Sequence, residues 1–107
     1  MDDVFHELLA GYMLRKYPDS TADFRRSACA IQMIAHLGGL APRSSQAIGS
    51  WERGDAAPPA EYMPALMATL GIVDPADVEA FRSARERVRP GRVDRPMTLA
   101  DEPGGQP

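Results

Sequence analysis

The chain has 107 residues, a formal net charge of −3 and a sequence pI of about 5.3, and 44% of its residues are hydrophobic. This size and composition predict one small globular domain with a modest core. The sequence contains no run of about 18 apolar residues, so no membrane span is predicted, and its acidic start lacks the pattern of a signal peptide. Because Cys29 is the only cysteine, no intramolecular disulfide can form, and we expect a cytoplasmic protein.

Charge is unevenly distributed along the chain. Residues 15–53 contain six basic and three acidic residues, and residues 82–95 contain six arginines beside two acidic residues. A basic surface can therefore exist within an acidic protein. The arginine-rich segment 82–95 has two interpretations that the sequence leaves open: a solvated helix face, or a surface that adds electrostatic attraction to DNA.

Two helices are predicted at the start of the chain. Residues 3–17 carry apolar side chains at helical spacing. A second helix is predicted over residues 20–38, and a break near Cys29 that divides it into two shorter helices is left open. Arg25 and Arg26 are expected to project away from the core. The buried stripe of this helix is predicted to comprise Phe24, Ala28, Ile31, Ile34 and Ala35.

The central helix is predicted over residues 44–53, after a connector that contains two glycines and a proline. Ser44 is suited to the N-cap position, and Gly54 is suited to end the helix in a left-handed conformation. The buried face is predicted to hold Ala47, Ile48 and Trp51. The opposite face carries slim or hydrogen-bonding side chains, as a helix that enters the DNA major groove requires. These outward residues are Ser45, Gln46, Gly49, Ser50 and Arg53.

The remainder of the chain predicts two further helices and a tail. A fourth helix is predicted over residues 61–70, and a fifth over 75–89 after a strong Asp-Pro start signal. Residues 90–107 are rich in proline, glycine and charge, which predicts a disordered tail. The predicted fold is therefore an all-α domain over residues 1–89, a bundle of about five helices that contains a helix-turn-helix.

The central helix and the segment after it resemble the lambda-repressor-like (Xre-type) helix-turn-helix regulators. That family often has an isoleucine three residues before a Trp-Glu-x-Gly stop, and here Ile48 precedes Trp51-Glu52-Arg53-Gly54. Family members often continue with prolines and a helix that ends in Leu-Gly-Ile, here Leu70-Gly71-Ile72. Residues 34–40 resemble the scaffold helix and turn of the family, although the turn before Ile48 is longer than usual. The resemblance covers about residues 31–73.

The resemblance implies sequence-specific binding of a homodimer to double-stranded DNA, usually to repress transcription. It assigns phosphate contacts to Arg43, Ser44, Ser45 and Arg53, and base-edge contacts to Gln46, Gly49 and Ser50. Glu52 is expected to be structural and to pair with a nearby arginine. This interpretation requires Gln46 and Ser50 to be accessible while Trp51 is buried.

No catalytic, metal or cofactor site is predicted, and the chain is not expected to be an enzyme. His6, His36 and Cys29 lack the spacing of a metal site. Gly38-Gly39 and Gly104-Gly105 lack the flanking pattern of a phosphate-binding loop.

Two partner hypotheses follow from this pattern. The DNA-binding hypothesis expects pairing through the first or fifth helix, which carry Phe5, Tyr12 and Phe81 as exposed apolar residues, so that two central helices lie about one DNA turn apart. The alternative is a helical protein-interaction module, such as an antitoxin, adaptor or inhibitor, that binds another regulatory protein. The acidic pI and the acidic segment 55–79 favour this alternative.

Overall fold

The structure, a computed structural model, describes residues 4–94 and contains five α-helices and no β-strand within that range. The helices are α1 (Phe5–Lys16), α2 (Ala22–Met33), α3 (Ser45–Arg53), α4 (Met63–Leu70) and α5 (Pro75–Glu86). Single turns of 3-10 helix occur at Ile34–His36, Ala60–Tyr62 and Pro90–Arg92. The predicted all-α class is confirmed. Within the described range, none of the helices has the length and apolar character needed to cross a membrane.

Local signals set half of the ten α-helix ends among the described residues. The side chains of Thr21, Ser44 and Asp74 each accept a hydrogen bond of 2.9–3.1 Å from a backbone N–H in the first turn of the following helix. At the other end, α3 stops at Gly54 with φ of 86° and α4 stops at Gly71 with φ of 74°, a conformation that favours glycine.

Aromatic side chains pack α1 against α5. The ring of Phe81 lies 4.9 Å from that of Phe5 and 5.7 Å from that of Tyr12. Phe5 and Phe81 are fully buried, and Tyr12 is half-buried. The expectation that these residues are exposed for dimerisation is therefore wrong, because they form the contact between two helices of the same chain.

The predicted buried stripe of α2 is wrong in register. Phe24, Ile31 and Ile34 are each more than half exposed. The residues that α2 buries are Cys29, Ala30 and Met33. The two faces of the helix both carry apolar side chains at helical spacing, so periodicity alone does not choose between them. The observed register packs Cys29, Ala30 and Met33 into the core, and it also directs Arg25 and Arg26 inward to Glu52 instead of outward.

The connection between α2 and α3 is long. The helix predicted over residues 20–38 ends at Met33, and residues 34–44 lead from there to α3 through one 3-10 turn. A typical helix-turn-helix motif joins its two helices by three or four residues. The structure therefore shows an all-helical bundle in which α2 and α3 are in contact without that short turn.

Residues 90–94, which fall in the predicted disordered tail, pack against the helices. The backbone N–H of Ala57 donates to Arg92 at 2.8 Å, and the N–H of Asp94 donates to Ala57 at 2.8 Å. Val93 forms an isolated parallel bridge with Ala57. The folded domain thus extends past residue 89 to Asp94, and the rest of the predicted tail, 95–107, lies outside the described residues.

Candidate nucleic-acid interface

α3 has one buried and one accessible face. Ile48 and Trp51 are fully buried, and Ala47 is half-buried. On the other side Gln46 is exposed and Ser50 is half-buried. This is the arrangement that the DNA-binding interpretation requires: the indole lies in the core, and the glutamine amide is accessible to a ligand.

The tryptophan is anchored by a residue from the far end of the described chain. Nε1 of Trp51 donates a hydrogen bond of 2.7 Å to Oδ2 of Asp94, which lies 43 residues away in the sequence. The same oxygen lies 3.3 Å from Nη2 of Arg43. Sequence reasoning missed Asp94, because nothing in the local pattern around residue 94 indicates a contact with α3.

Glu52 connects α3 to α2. Its Oε1 accepts a hydrogen bond of 2.8 Å from Nε of Arg26, and its Oε2 lies 3.9 Å from Nη2 of Arg25. The Glu52 side chain is 7% exposed, and burial of a carboxylate is costly unless hydrogen-bonding and charged partners such as these surround it. The expected structural role of Glu52, paired with a nearby arginine, is confirmed.

The accessible face of α3 borders a cleft of about 290 Å³ between α2 and α3. Asp23, Arg26, Ser27, Ser45, Gln46 and Arg53 line this cleft. Ser44 lies at the start of the helix, where its hydroxyl forms the N-cap. The structure thus brings Ser45, Gln46 and Arg53 together on one surface, as predicted.

Gly49 does not have the open position that was predicted for it. The residue is buried, and a Cβ built there would lie 3.0 Å from Nη1 of Arg53 and 3.1 Å from Cδ of Arg26. The two arginine side chains cover Gly49, which contradicts its predicted contact with a base edge. Sequence reasoning failed here because the helix face that Gly49 shares with Ser45 is directed towards α2.

The two predicted phosphate-binding arginines differ in availability. Arg43 is half-buried, pairs with Asp94 and lies over the ring of Tyr62 at 5.9 Å, so its guanidinium is engaged within the domain. Arg53 pairs with Asp55 at 3.0 Å, but both side chains are at least half exposed. An exposed pair of this kind contributes little free energy, so Arg53 can exchange its partner for a phosphate.

Positive charge near α3 is balanced by carboxylates. Arg25 and Arg26 lie beside Glu52, Arg43 beside Asp94, and Arg53 beside Asp55. Exposed arginines without a carboxylate partner among residues 4–94 lie elsewhere. One is Arg15 at the end of α1, and the others lie in the second half of α5 and after it: Arg82, Arg87, Arg89 and Arg92.

The single cysteine is structural in this setting. Burial raises the pKa of the Cys29 thiol to about 12, and the nearby Glu52 carboxylate contributes to the rise. Burial likewise raises the pKa of Tyr17 to about 12, and its hydroxyl donates to Gln32 at 2.6 Å. A thiol held protonated is a poor nucleophile, so Cys29 acts here as a small core residue.

Comparison with known proteins gives no match to a family model, to a curated protein or to a solved structure. The resemblance to the helix-turn-helix regulators therefore rests on the sequence pattern within about residues 31–73.

Proposed function

We propose that this protein binds double-stranded DNA through α3 and regulates transcription. The observation that carries the proposal is the division of α3 into a buried face with Ile48 and Trp51 and an accessible face with Gln46. A glutamine amide on a slim helix can donate to N7 and accept from N6 of adenine in the major groove. In this proposal the protein acts as a repressor, as the family that it resembles usually does.

In this proposal, each polar residue on the accessible side of α3 contacts either a base edge or a phosphate of the DNA. Gln46 reads a base edge, and the first turn with Ser44 and Ser45 contacts a phosphate through its hydroxyls and free N–H groups. Arg53 contacts a second phosphate after it leaves Asp55. The ion pair between Glu52 and Arg26 holds the angle of α3 and is a positioning contact.

The balanced charge around α3 predicts a shallow salt dependence. Each phosphate neutralised by a cation adds about 0.9 to the slope of log K against log salt. Arg53 supplies one such contact, and the arginines after α5 supply any others. We therefore expect a slope between about −1 and −4, less steep than for a protein with a strongly basic recognition surface.

The test measures binding to the promoter of the protein's own gene and to a random duplex across a salt series, by fluorescence anisotropy. We expect tighter binding to the promoter fragment, by about tenfold or more. Gln46→Ala should reduce that preference, whereas Arg53→Gln should weaken binding to both duplexes alike and lower the slope by about one. Glu61→Gln, an exposed change outside α2 and α3, is the control. Absence of binding to either duplex at low salt would contradict the proposal.

A second function, protein interaction without DNA, is favoured by the outer surface of α2. Phe24, Ile31 and Ile34 are exposed on that surface, and contiguous exposed apolar side chains mark interaction sites. An adaptor or inhibitor would bind its target through these residues. In that case Ile31→Glu abolishes target binding, and the low-salt DNA experiment gives no complex.

A further inference from the structure

We infer that the outer face of α2 and of the 3-10 turn that continues it, formed by Phe24, Ser27, Ile31 and Ile34, pairs with the same face of a second copy of this chain in an antiparallel helix contact. These four residues are called the α2 face below. The inference goes beyond DNA binding and does not depend on it.

The α2 face concentrates the exposed apolar surface of the molecule. Phe24, Ile31 and Ile34 are 60%, 67% and 53% exposed. The other large hydrophobic residues exposed among residues 4–94, Leu14 and Val73, lie singly on other parts of the chain. Scattered apolar residues are normal on a surface, but three on one face of one helix are not.

The α2 face is also free of charge. Phe24, Ser27, Ile31 and Ile34 lie at successive spacings of three, four and three residues, and no charged residue interrupts this stripe. The two arginines of the helix, Arg25 and Arg26, turn towards Glu52 instead. In a chain with 25% charged residues, such depletion is typical of the centre of a protein interface.

The spacing of the α2 face makes it self-complementary. In an antiparallel pair whose two-fold axis passes beside residue 29, Phe24 faces Ile34 of the second copy and Ser27 faces Ile31 of the second copy. The Phe24 ring thus packs against the smaller Ile34 side chain, and the small Ser27 leaves room for Ile31. Antiparallel pairing also places the positive N-terminal end of one α2 beside the negative C-terminal end of the other.

A groove beside the C-terminal half of α2 can receive the aromatic ring. It has a volume of about 220 Å³, its apolar part consists of Ala30, Ile31, Ile34 and Pro42, and Arg43 also lines it. In the antiparallel arrangement each copy places its Phe24 at the groove of the other. Ser44 and Ser45 form the opposite wall, so the contact borders the start of α3.

The size of the surface predicts a weak, reversible dimer. α2 has 12 residues and is about 18 Å long. A contact along one such helix, with the adjoining groove, buries several hundred Å² per copy, near the lower limit for specific interfaces. We expect a dissociation constant between about 10 µM and about 100 µM.

Sedimentation equilibrium of the full chain, from about 5 µM to about 500 µM, tests the pairing in the absence of DNA. We expect a monomer–dimer equilibrium that Ile31→Glu weakens by at least about tenfold. Leu14→Glu and Val73→Glu are matched controls, since each places the same charge at an exposed apolar residue outside the α2 face, and neither should alter the equilibrium. A chain that stays monomeric throughout, or a dimer that Ile31→Glu leaves intact, would overturn the proposal.

Disulfide cross-linking tests the antiparallel register. An equal mixture of Ser27→Cys and Ile31→Cys chains should form a mixed disulfide under oxidation, because facing positions bring the two Cα atoms close enough for one. A mixture of Ala80→Cys and Ile31→Cys chains is the control, and the native Cys29 is buried and does not react. Equal cross-linking in both mixtures would overturn the arrangement.

Sedimentation equilibrium also tests whether residues 95–107 of the same chain, instead of a second copy, cover the α2 face. Asp94, the last residue that the structure describes, contacts Arg43, which lines the groove. If the chain is monomeric and becomes dimeric after Met97→Ser and Leu99→Ser, that segment occupies the face and the proposal is wrong.

Discussion

Arg26 and Glu52 are 26 residues apart in the sequence, and their side chains meet at 2.8 Å across the contact between α2 and α3. This ion pair occurs together with two features of the surface. Phe24 and Ile31 face outward on α2, and the Arg26 side chain lies over Gly49. The accessible part of α3 is therefore narrower than its sequence indicates.

Removal of the Glu52 carboxylate should destabilise the domain. Glu52→Ala leaves Arg25 and Arg26 without their partner, and we expect the free energy of unfolding to fall by about 2–3 kcal/mol. This is below the value for a fully buried pair, because Arg26 retains 20% of its side-chain exposure. Urea denaturation followed by circular dichroism measures the change. Asp55→Ala, which breaks the exposed pair with Arg53, should cost less than about 0.5 kcal/mol, and equal effects would contradict this account.

Asp94 should contribute to stability although it lies 43 residues from its partner Trp51 in the sequence. Asp94→Ala leaves the buried Trp51 N–H without an acceptor, with an expected loss of about 1–3 kcal/mol. Asp94→Asn should recover part of this loss, because its amide oxygen can still accept the hydrogen bond. Trp51 is the only tryptophan, so its fluorescence reports the site directly. An unchanged emission spectrum and unchanged stability in Asp94→Ala would show that the contact is unimportant.

Phe24→Ala tests the observed register of α2, and Phe81→Ala in α5 is the comparison for a buried ring. Phe81→Ala removes a fully buried ring that contacts Phe5 and Tyr12, and should cost about 3–5 kcal/mol. Phe24→Ala removes an exposed ring and should change the stability of the monomer by less than about 0.5 kcal/mol. Thermal unfolding at low protein concentration compares them. A large loss of stability in Phe24→Ala would indicate that Phe24 is buried, as the sequence predicts, and would contradict the observed register of α2.

Stability should decrease at alkaline pH. The pKa of Cys29 rises from about 9 to about 12 on folding, so the unfolded chain releases this proton first. The resulting stability is fully present below about pH 9 and is lost as the pH rises towards about 12. Tyr17 acts in the same direction from about pH 10 upward. Urea titrations at several pH values should show a shallower decline for Cys29→Ala than for the native chain, and equal slopes would contradict the assignment.

Local sequence determined where several of the helices begin or end. Ser44 and Asp74 satisfy N–H groups within three residues, and Gly54 and Gly71 adopt their left-handed conformation through their own lack of a side chain. Such signals act over a few residues and can be read without the fold. The burial of Trp51 also followed from its place on the apolar side of α3.

Only the tertiary structure decided which face of α2 is buried and what anchors Trp51. Apolar residues lie on both faces of α2, and which face is buried depends on contacts with other helices, among them the pair of Arg26 with Glu52. The role of Asp94 likewise depends on a contact across 43 residues, in a segment whose composition predicts disorder. Contacts between distant parts of the chain form only when the helices pack, because their energies depend on geometry that no local pattern contains.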